Sequence, residues 1–407
     1  MLGMRTIIIV GGGAAGMMAA SAAAEQGARV VLLEKNAELG KKLLLTGGGR
    51  CNITNTADVA DFVEATLRNP SFLYSALYGF DSSALREFLH GIGLATKIED
   101  GGRVFPVSED ASDVIKAFAQ HLDNAGVEIL TNATVAVILP RDADGFLVGL
   151  TDGRNFATDA VIVATGGLSV PHTGSTGDGH RIARDFGHSV TKLYPSLVPF
   201  AVERPDVSEL MGLSVPDVGL VAKRGGKVIY RDFGDVIFTH LGISGPVVLR
   251  TSAHLAKNLH EPHEIYLDFM PNKSEKDLDN DILRIFEQNP NKDVKNCMTH
   301  ILPARLAAAI SNNAKAHDIT KEVRRELCRN IKAFRLDVSG SIGFGAAVIT
   351  CGGVSCDEID PGTMQSKLVS GLYFAGEVVD VDALTGGYNL QIAFSTGRLA
   401  GKSASLA

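Results

Sequence analysis

The sequence predicts an α/β protein, in which a domain with a parallel β-sheet carries an inserted β-barrel and a helical subdomain. A βαβ unit opens the chain, because the buried-strand patterns Thr6–Val10 and Arg29–Leu33 flank a small-residue helix at Ala14–Gln26. Residues 190–270 then alternate short strands with Pro and Gly turns, which is typical of a small antiparallel barrel or sandwich. Residues 273–335 are charged and have helical periodicity, which indicates the helical subdomain.

The end of the chain returns to the pattern of its beginning. A buried strand is predicted at Leu372–Ala375 and a helix at Ile392–Ala400, so the first domain is discontinuous. Within the insertion, Lys227–Ile229 and Val236–Phe238 are predicted as separate strands, and in the first domain Asp142–Gly145 is predicted as a hairpin turn. The predicted division is a dinucleotide-type domain at residues 1–190 and 346–407, a β-barrel domain at 191–272 and 336–345, and a helical subdomain at 273–335.

Composition and charge disfavour several classes of protein. The chain has 407 residues, of which 45% are hydrophobic, so it fits two or three domains with a sizeable core. It has no run of about 20 apolar residues, so we expect no membrane span and a cytoplasmic location. The net charge is −7 and there is no long basic run, which predicts that nucleic acid is not a partner.

The five cysteines are too few and too scattered for the disulfide framework of a secreted protein. Cys351 and Cys356 are close in sequence, so they are either a redox pair or two separate buried thiols. No second Cys or His pair accompanies them at ligand spacing, so we predict no metal site.

The first candidate site is the glycine turn Gly11–Gly16, which follows the first predicted strand. Gly11 allows a tight turn, Gly13 lets a pyrophosphate approach the backbone, and Gly16 lets helix and strand pack closely. Ala14 and Ala15 open the helix, whose free N–H groups and positive dipole end attract phosphate. Glu34 closes the second strand, where a carboxylate accepts from ribose hydroxyls, so the segment predicts a dinucleotide without a 2′-phosphate.

Three further segments favour FAD over NAD as that dinucleotide. A second glycine-rich loop, Thr46–Asn55 (TGGGRCNITN), follows soon after the ribose acid. Such a loop can contact an extended flavin, whereas an NAD-binding domain does not need it at this position. The alternative is an ordinary surface loop. Ala164–Gly167 ends a strand at the edge where cofactors bind in open α/β sheets. Gly386–Gln391, including Gly387, opens the last helix, whose N-terminus suits the edge of a reduced flavin ring.

The motifs together resemble the YhiN/BaiN-like family of bacterial FAD-binding flavoproteins, predicted NAD(P)/FAD-dependent oxidoreductases that include aminoacetone oxidases. The resemblance rests on GGGAAG, LLEK, KKLLLTGGGRCNITN, GRVFP, ATGG, TGSTGDG, THLGISGP and LYFAGEVVDVDALTGGYNLQIAFSTG. It implies a glutathione-reductase-like FAD-binding Rossmann domain with an inserted β-barrel and a helical subdomain. It also implies FAD contacts at Gly11–Gly16, Glu34, Lys35, Lys42, Gly47, Gly48, Arg50, Cys51, Asn52, Val135, Thr165, Gly166, Gly376, Glu377, Asp380, Asn389, Leu390 and Gln391.

Three residues are candidates for catalysis, each with a structural alternative. Arg103 is suited to a substrate carboxylate or is a surface residue at a turn. His240 is suited to proton transfer or caps a turn. Tyr388 lines the substrate side of the flavin or packs in the core. Cys51 is predicted as a packed thiol rather than a redox partner of the flavin, because no resolving cysteine lies near it in sequence.

These observations predict an FAD-dependent oxidoreductase that acts on a small molecule. Gly340–Gly345 is the only near-match to a second dinucleotide turn, and it lacks a ribose acid. The flavin is therefore reduced either by transiently bound NADH or NADPH or by the substrate itself. One alternative is an aminoacetone or amine oxidase that uses oxygen; another, of a different class, is a flavin-dependent RNA-modifying or flavin-sensing protein.

Overall fold

The computed structural model describes residues 4–141, 145–202, 205–311 and 313–406. Most of the predicted Asp142–Gly145 turn lies outside these residues. The strands are β1 Thr6–Val10, β2 Arg29–Leu33, β3 Thr54–Asn55, β4 Thr96–Ile98, β5 Arg103–Pro106, β6 Glu128–Leu130, β7 Val135–Pro140, β8 Phe146–Leu150, β9 Asn155–Thr158, β10 Ala160–Val163, β11 Tyr194–Ser196, β12 Phe200–Val202, β13 Ser214–Arg224, β14 Lys227–Thr239, β15 Gly242–Ser244, β16 His263–Asp268, β17 Phe334–Ser341, β18 Ile349–Cys351 and β19 Leu372–Phe374.

The helices follow the same chain order. They are α1 Ala14–Glu25, α2 Val59–Ala65, α3 Tyr74–Gly79, α4 Ser82–Gly91, α5 Ala111–Asn124, α6 Asp178–Asp185, α7 Pro205–Glu209, α8 Pro246–Leu255, α9 Glu275–Gln288, α10 Val294–Met298, α11 Ala304–Ile310, α12 Lys321–Lys332 and α13 Tyr388–Leu406. Within the described ranges, none of these helices is both long and apolar enough to cross a membrane.

The chain forms two compact units. The first runs up to Pro195 and resumes at Val348, and the second is Ser196–Ala347. The predicted three-part division remains a prediction, although the structure groups the barrel and the helices α9 to α12 in one unit.

The first unit is built on a five-stranded parallel sheet in the order β19-β10-β1-β2-β6. Ile7, Ile8 and Ile9 are fully buried, as expected for a strand that is covered on both faces. Helices α1 and α13 pack so closely that a Cβ added at Gly397 would lie 2.3 Å from the Ala15 carbonyl oxygen. The predicted Rossmann-type fold is confirmed, and the parallel strands bring their carboxyl ends to one edge of the sheet.

The second unit contains a closed six-stranded barrel in the order β12-β15-β14-β13-β16-β17. The inserted β-barrel is therefore confirmed. The prediction of separate strands at Lys227–Ile229 and Val236–Phe238 was wrong, because β14 is continuous across both segments and pairs with β13 along most of its length. Helices α9 to α12 fall between β16 and β17 in the chain, and Leu278 and Leu327 share the hydrophobic core of the barrel.

Candidate functional site

The turn Gly11–Gly16 is closed by contacts that only glycine allows. Gly11 has φ of 105° and donates from its amide to the Leu33 carbonyl oxygen at 2.8 Å. A Cβ at Gly16 would lie 1.8 Å from the Gly11 oxygen, so helix α1 starts directly against the turn. Gly13 is different: an added Cβ there would meet nothing within 4 Å. The turn therefore borders open space beside Gly13, directly before Ala14 and Ala15 begin α1.

Glu34 joins this turn to the end of β2. One carboxylate oxygen accepts from the Gly12 amide at 2.7 Å, and the other accepts from the backbone and side-chain nitrogens of Asn36 at 2.8 and 2.7 Å. The side chain is buried, with 6% exposure. A carboxylate has roughly four acceptor positions, and the protein uses three of them. Glu34 therefore shapes the turn, and its contact with a ribose remains a prediction.

Lys42 and Glu377 form an ion pair although they are far apart in the chain. The Lys42 ammonium donates to a Glu377 oxygen and to Ser169 Oγ, both at 2.6 Å. The other Glu377 oxygen accepts from Ser169 Oγ at 2.7 Å and from the Thr350 amide at 2.9 Å. Burial alone would raise the pKa of Glu377, but the Lys42 charge and these hydrogen bonds outweigh burial and lower the pKa. The Glu377 carboxylate is therefore ionised at neutral pH.

Lys35 ties β2 to the segment 173–179 (TGSTGDG). Its ammonium donates to Asp178 and to Thr176 Oγ1, both at 2.6 Å. His180 follows this segment, and burial lowers its pKa although Glu377 acts in the opposite direction, so the imidazole is neutral at pH 7. Sequence reasoning missed His180; its position directly after this glycine-rich segment was the available signal.

The second glycine-rich loop adopts left-handed backbone at several positions. Gly47 and Gly48 have φ of 58° and 68°, and Cys51 has φ of 61°. Thr46 holds the loop together, because its hydroxyl donates to Leu43 O at 2.7 Å and its carbonyl accepts from the Cys51 amide at 3.0 Å. Burial raises the pKa of Cys51 to about 11, so its thiol is protonated at neutral pH. This agrees with a packed thiol.

Arg50 and Arg103 both lie near the Phe105 ring. Arg50 makes a two-pronged ion pair with Glu99 at 2.9 and 3.3 Å, and its guanidinium lies 4.1 Å from the ring centroid. Arg103 is exposed, lies 5.8 Å from the same centroid and donates to Asp100 O at 3.0 Å. The protein itself therefore engages Arg50, whereas the Arg103 side chain is largely open to solvent.

The start of α13 is fastened to the second loop. A Cβ at Gly387 would lie 2.3 Å from the Thr54 carbonyl, and Asn52, with its amide oriented to satisfy both of its atoms, accepts from the Gly387 amide at 3.1 Å. Gln391 is fully buried; it accepts from Thr54 Oγ1 at 2.6 Å and donates to Phe80 O at 3.0 Å. The hydrogen bonds of this side chain are therefore made within the protein, and its partners Thr54 and Phe80 could not be predicted from the sequence.

Two neighbouring residues of α13, Asn389 and Leu390, differ in how the protein holds them. The Asn389 side-chain amide makes two hydrogen bonds with the backbone of Ala383: its oxygen accepts from the amide at 2.9 Å and its nitrogen donates to the carbonyl at 2.8 Å. Leu390, which follows it, is half-buried.

Two buried oxygens at the sheet edge lack partners in the described part of the chain: Thr165 Oγ1, after β10, and Asp380 Oδ1, after β19. Ala164 is buried before Thr165, and Gly166 has φ of 72°. Gly376 also has positive φ, and a Cβ there would lie 2.8 Å from Ala15 Cβ. Val135 is buried at the start of β7.

The other two predicted catalytic residues lie in different units. Tyr388 begins α13, and its ring meets the Phe62 ring edge-on with centroids 5.0 Å apart. Burial, followed by the nearby Asp61 charge, raises the pKa of Tyr388, so the phenol stays protonated at neutral pH. His240 is exposed between β14 and β15 in the second unit.

The sequence of the chain matches a known protein family over nearly its whole length. The pattern described as the HI0933-like protein Rossmann domain matches residues 5–403. The chain belongs to this family. This HI0933-like family is the YhiN/BaiN-like group that the motifs predicted, and that prediction is confirmed. The protein is a flavin-dependent oxidoreductase.

Individual relatives extend over nearly the whole chain. The 3-dehydro-bile acid delta(4,6)-reductase of Clostridium scindens is 34% identical over 385 residues, covering 93% of each chain. The ribosomal RNA dihydrouridine synthase of Escherichia coli is 32% identical over 382 residues, covering 91% of this chain and 90% of the relative. The solved 3-ketosteroid-delta4-(5alpha)-dehydrogenase of Rhodococcus jostii has a TM-score of 0.54 at 15% identity, covers 98% of this chain and 97% of its own, and shows a shared fold.

The described residues of this HI0933-like protein fit a flavin cofactor. The space beside Gly13 and Gly48 is open, and both positions expose backbone that a ligand can approach. The unpartnered Thr165 Oγ1 and Asp380 Oδ1, in the segments that follow β10 and β19, offer a donor and an acceptor. Sequence reasoning missed Ser169 and Thr350, because neither belongs to a recognisable motif and their partner Glu377 is distant in the chain.

Proposed function

We propose that the protein is an FAD-dependent reductase that adds hydrogen across a carbon–carbon double bond conjugated to a carbonyl group. The observation that carries this proposal is the shared chemistry in the names of two full-length relatives. A delta(4,6)-reductase acting on a 3-dehydro-bile acid saturates a double bond conjugated to the 3-oxo group. Dihydrouridine is uridine whose C5=C6 bond, conjugated to the C4 carbonyl, has been reduced. The reaction is the same although the substrates differ.

The proposed cofactor is FAD, with NADH or NADPH as the source of electrons. The pyrophosphate would lie on the Gly11–Gly16 turn at the start of α1, with its ribose at Glu34. When bound and reduced, FAD supplies the hydride for the substrate carbon farther from the carbonyl, and a proton completes the reduction at the adjacent carbon. The open space beside Gly13 and the glycine-rich loop at residues 46–52 support this arrangement.

The side chains of this chain would orient the substrate and hold protons. Tyr388 retains its phenolic proton at neutral pH and is proposed to line the substrate side of the flavin, donating a hydrogen bond to the substrate carbonyl. In the Lys42–Glu377 pair, the Glu377 carboxylate would hold the Lys42 ammonium in place beside the cofactor segment. Arg103, which is exposed, and His240 remain proposals for substrate binding and proton transfer.

We favour a uridine of ribosomal RNA as the substrate over a steroid-like enone. The net charge of −7, which disfavours a nucleic-acid partner, is that of the whole chain. This charge is unevenly divided, because the segment Ser196–Ala347 contains nearly equal numbers of acidic and basic residues and the acidic excess falls in the first unit. The second unit therefore does not repel a phosphate backbone by net charge.

The deciding experiment offers both substrates to the same flavin-loaded protein under anaerobic conditions with NADH or NADPH. One reaction contains ribosomal RNA from a strain that lacks the protein, and the other a bile-acid-like dienone. We expect dihydrouridine in the RNA by mass spectrometry of its nucleosides, and little loss of the ultraviolet absorbance of the dienone. The reverse result would assign a small-molecule reductase.

Tyr388→Phe is the matched variant for this assay, since it removes only the hydroxyl. We expect slower reduction of the substrate with unchanged flavin content. If reduced pyridine nucleotides leave the flavin oxidised, and an amine such as aminoacetone reduces it with consumption of oxygen on return to air, the reductase proposal is wrong and the protein is an oxidase.

A further inference from the structure

A pocket of about 560 Å³ lies among α2, α3, α4 and α13 in the first unit. Its lining includes the apolar side chains of Val59, Phe62 and Leu77. It also includes three charged side chains, Asp58, Asp81 and Arg86. Its volume lies in the range of small-molecule sites. Of the residues that line it, only Gln391 belongs to the predicted FAD contacts, so the pocket is not explained by the cofactor.

Arg86 has no ion pair or hydrogen bond with any residue that the structure describes, and its Nε is fully buried. A buried donor without an acceptor destabilises a folded protein. Native proteins rarely keep such a group without a reason, and a missing ligand is one such reason. The planar guanidinium, with its parallel N–H groups, is suited to a carboxylate.

Each of the two carboxylates that line the pocket has only one oxygen in a hydrogen bond with the described residues. One oxygen of Asp58 accepts from the Asp61 amide at 2.9 Å, and one oxygen of Asp81 accepts from the Ala84 amide at 2.8 Å, so each caps a helix. Their second oxygens accept no hydrogen bond from the described residues. Neither carboxylate pairs with Arg86, although all three line the same pocket. Charges of both signs therefore face the pocket without neutralising each other.

We propose that this pocket binds a small zwitterion, an α-amino acid with an apolar side chain. Its carboxylate would pair with Arg86, its ammonium group with the free oxygens of Asp81 and Asp58, and its side chain would cover Phe62 and Leu77. A phosphate would meet two carboxylates for one arginine, and a simple cation would leave the Arg86 Nε without a partner. Only a ligand with both charges satisfies all three side chains.

Calorimetry with the flavin-loaded full chain tests this proposal with three probes: L-phenylalanine, its methyl ester and 3-phenylpropionate. The ester lacks the carboxylate charge and 3-phenylpropionate lacks the ammonium group. We expect L-phenylalanine to bind at least about tenfold more tightly than either analogue, because each analogue loses one charged hydrogen-bonded contact.

Two variants connect each charge to its partner. Arg86→Met is expected to bind L-phenylalanine and its ester with equal, weak affinity. The double variant Asp58→Asn and Asp81→Asn keeps both helix caps and is expected to remove the preference over 3-phenylpropionate. Arg329→Met is the matched control, an exposed helical arginine of the second unit, and is expected to bind as the wild type does.

Thermal unfolding without ligand separates binding from folding. Arg86→Met is expected to melt at or above the temperature of the wild type, because the variant no longer buries an unsatisfied Nε. The proposal is overturned if the wild type binds none of the probes, or if the folded Arg86→Met variant retains the preference for L-phenylalanine over its ester. These outcomes measure binding and not turnover, so they do not depend on the proposed reductase activity.

Discussion

The two glycine-rich segments of the first unit use glycine for different reasons. In Gly11–Gly16, contact demands it: a Cβ at Gly16 would lie 1.8 Å from the Gly11 oxygen, and one at Gly11 would lie 2.6 Å from the Ala164 oxygen. At Gly48, in the loop at residues 46–52, backbone conformation alone demands it: φ is 68°, yet an added Cβ would meet nothing within 4 Å.

This difference separates two roles that look alike in the sequence. The first turn is locked to β2 through Glu34 and to α1 through Gly16, so it presents a rigid helix start. The second loop is held at Thr46 and Asn52 but leaves space over Gly48. The first segment is part of the packing of the sheet and is open beside Gly13, whereas the second leaves the space over Gly48 open.

Gly16→Ala should have the largest effect. The methyl group would push α1 away from the turn, which we expect to destabilise the protein by about 3 kcal/mol and to abolish flavin retention. Urea unfolding and the flavin absorbance of the purified protein measure the two effects.

Gly13→Ala is the matched control for that variant. Its Cβ meets open space and its φ is −81°, so stability should fall by less than about 1 kcal/mol while flavin retention weakens. A Gly16→Ala protein as stable as Gly13→Ala would contradict the distinction between contact and space in this turn.

Glu34→Ala should have the next largest effect. It removes the acceptor of the buried Gly12 amide, which we expect to cost about 1–3 kcal/mol, together with most of the retained flavin. Glu34→Gln keeps an acceptor without the charge, so its stability and flavin retention should lie between those of the wild type and of Glu34→Ala. A fully loaded yellow Glu34→Ala protein would overturn the ribose assignment.

In the second loop, Gly47→Ala should be worse than Gly48→Ala. Both positions require left-handed backbone, which costs about 1 kcal/mol for alanine. Gly47 adds a steric conflict, because its Cβ would lie 2.8 Å from the Asn52 nitrogen. Chemical denaturation of both variants checks this order, and equal stabilities would mean that the loop relaxes freely.

The smallest expected effect concerns the reactivity of the Cys51 thiol, which should differ between the folded and the unfolded protein. Because burial raises the pKa of Cys51 to about 11, the folded protein holds it as an unreactive thiol below that pH. Iodoacetamide followed by peptide mass spectrometry should leave Cys51 unmodified at pH 8 and modify it in the unfolded protein. Rapid labelling of the folded protein at pH 8 would restore Cys51 as a redox candidate.

The fold could be predicted wherever the signal is local. The βαβ unit at the start of the chain, with its glycine turn and terminal Glu34, lies within about thirty residues, as such a unit requires. Strand periodicity also indicated the barrel, although it divided β14 into pieces because the middle of that strand is polar and exposed.

The sequence by itself therefore determined the family, the Rossmann-type sheet and the position of the two glycine-rich segments. Only the tertiary structure decided which groups meet. Lys42 and Glu377, like Thr54 and Gln391, come from distant parts of the chain. The physical reason is that hydrophobic periodicity and turn chemistry act over a few residues, whereas polar partners are chosen by the packing of whole elements.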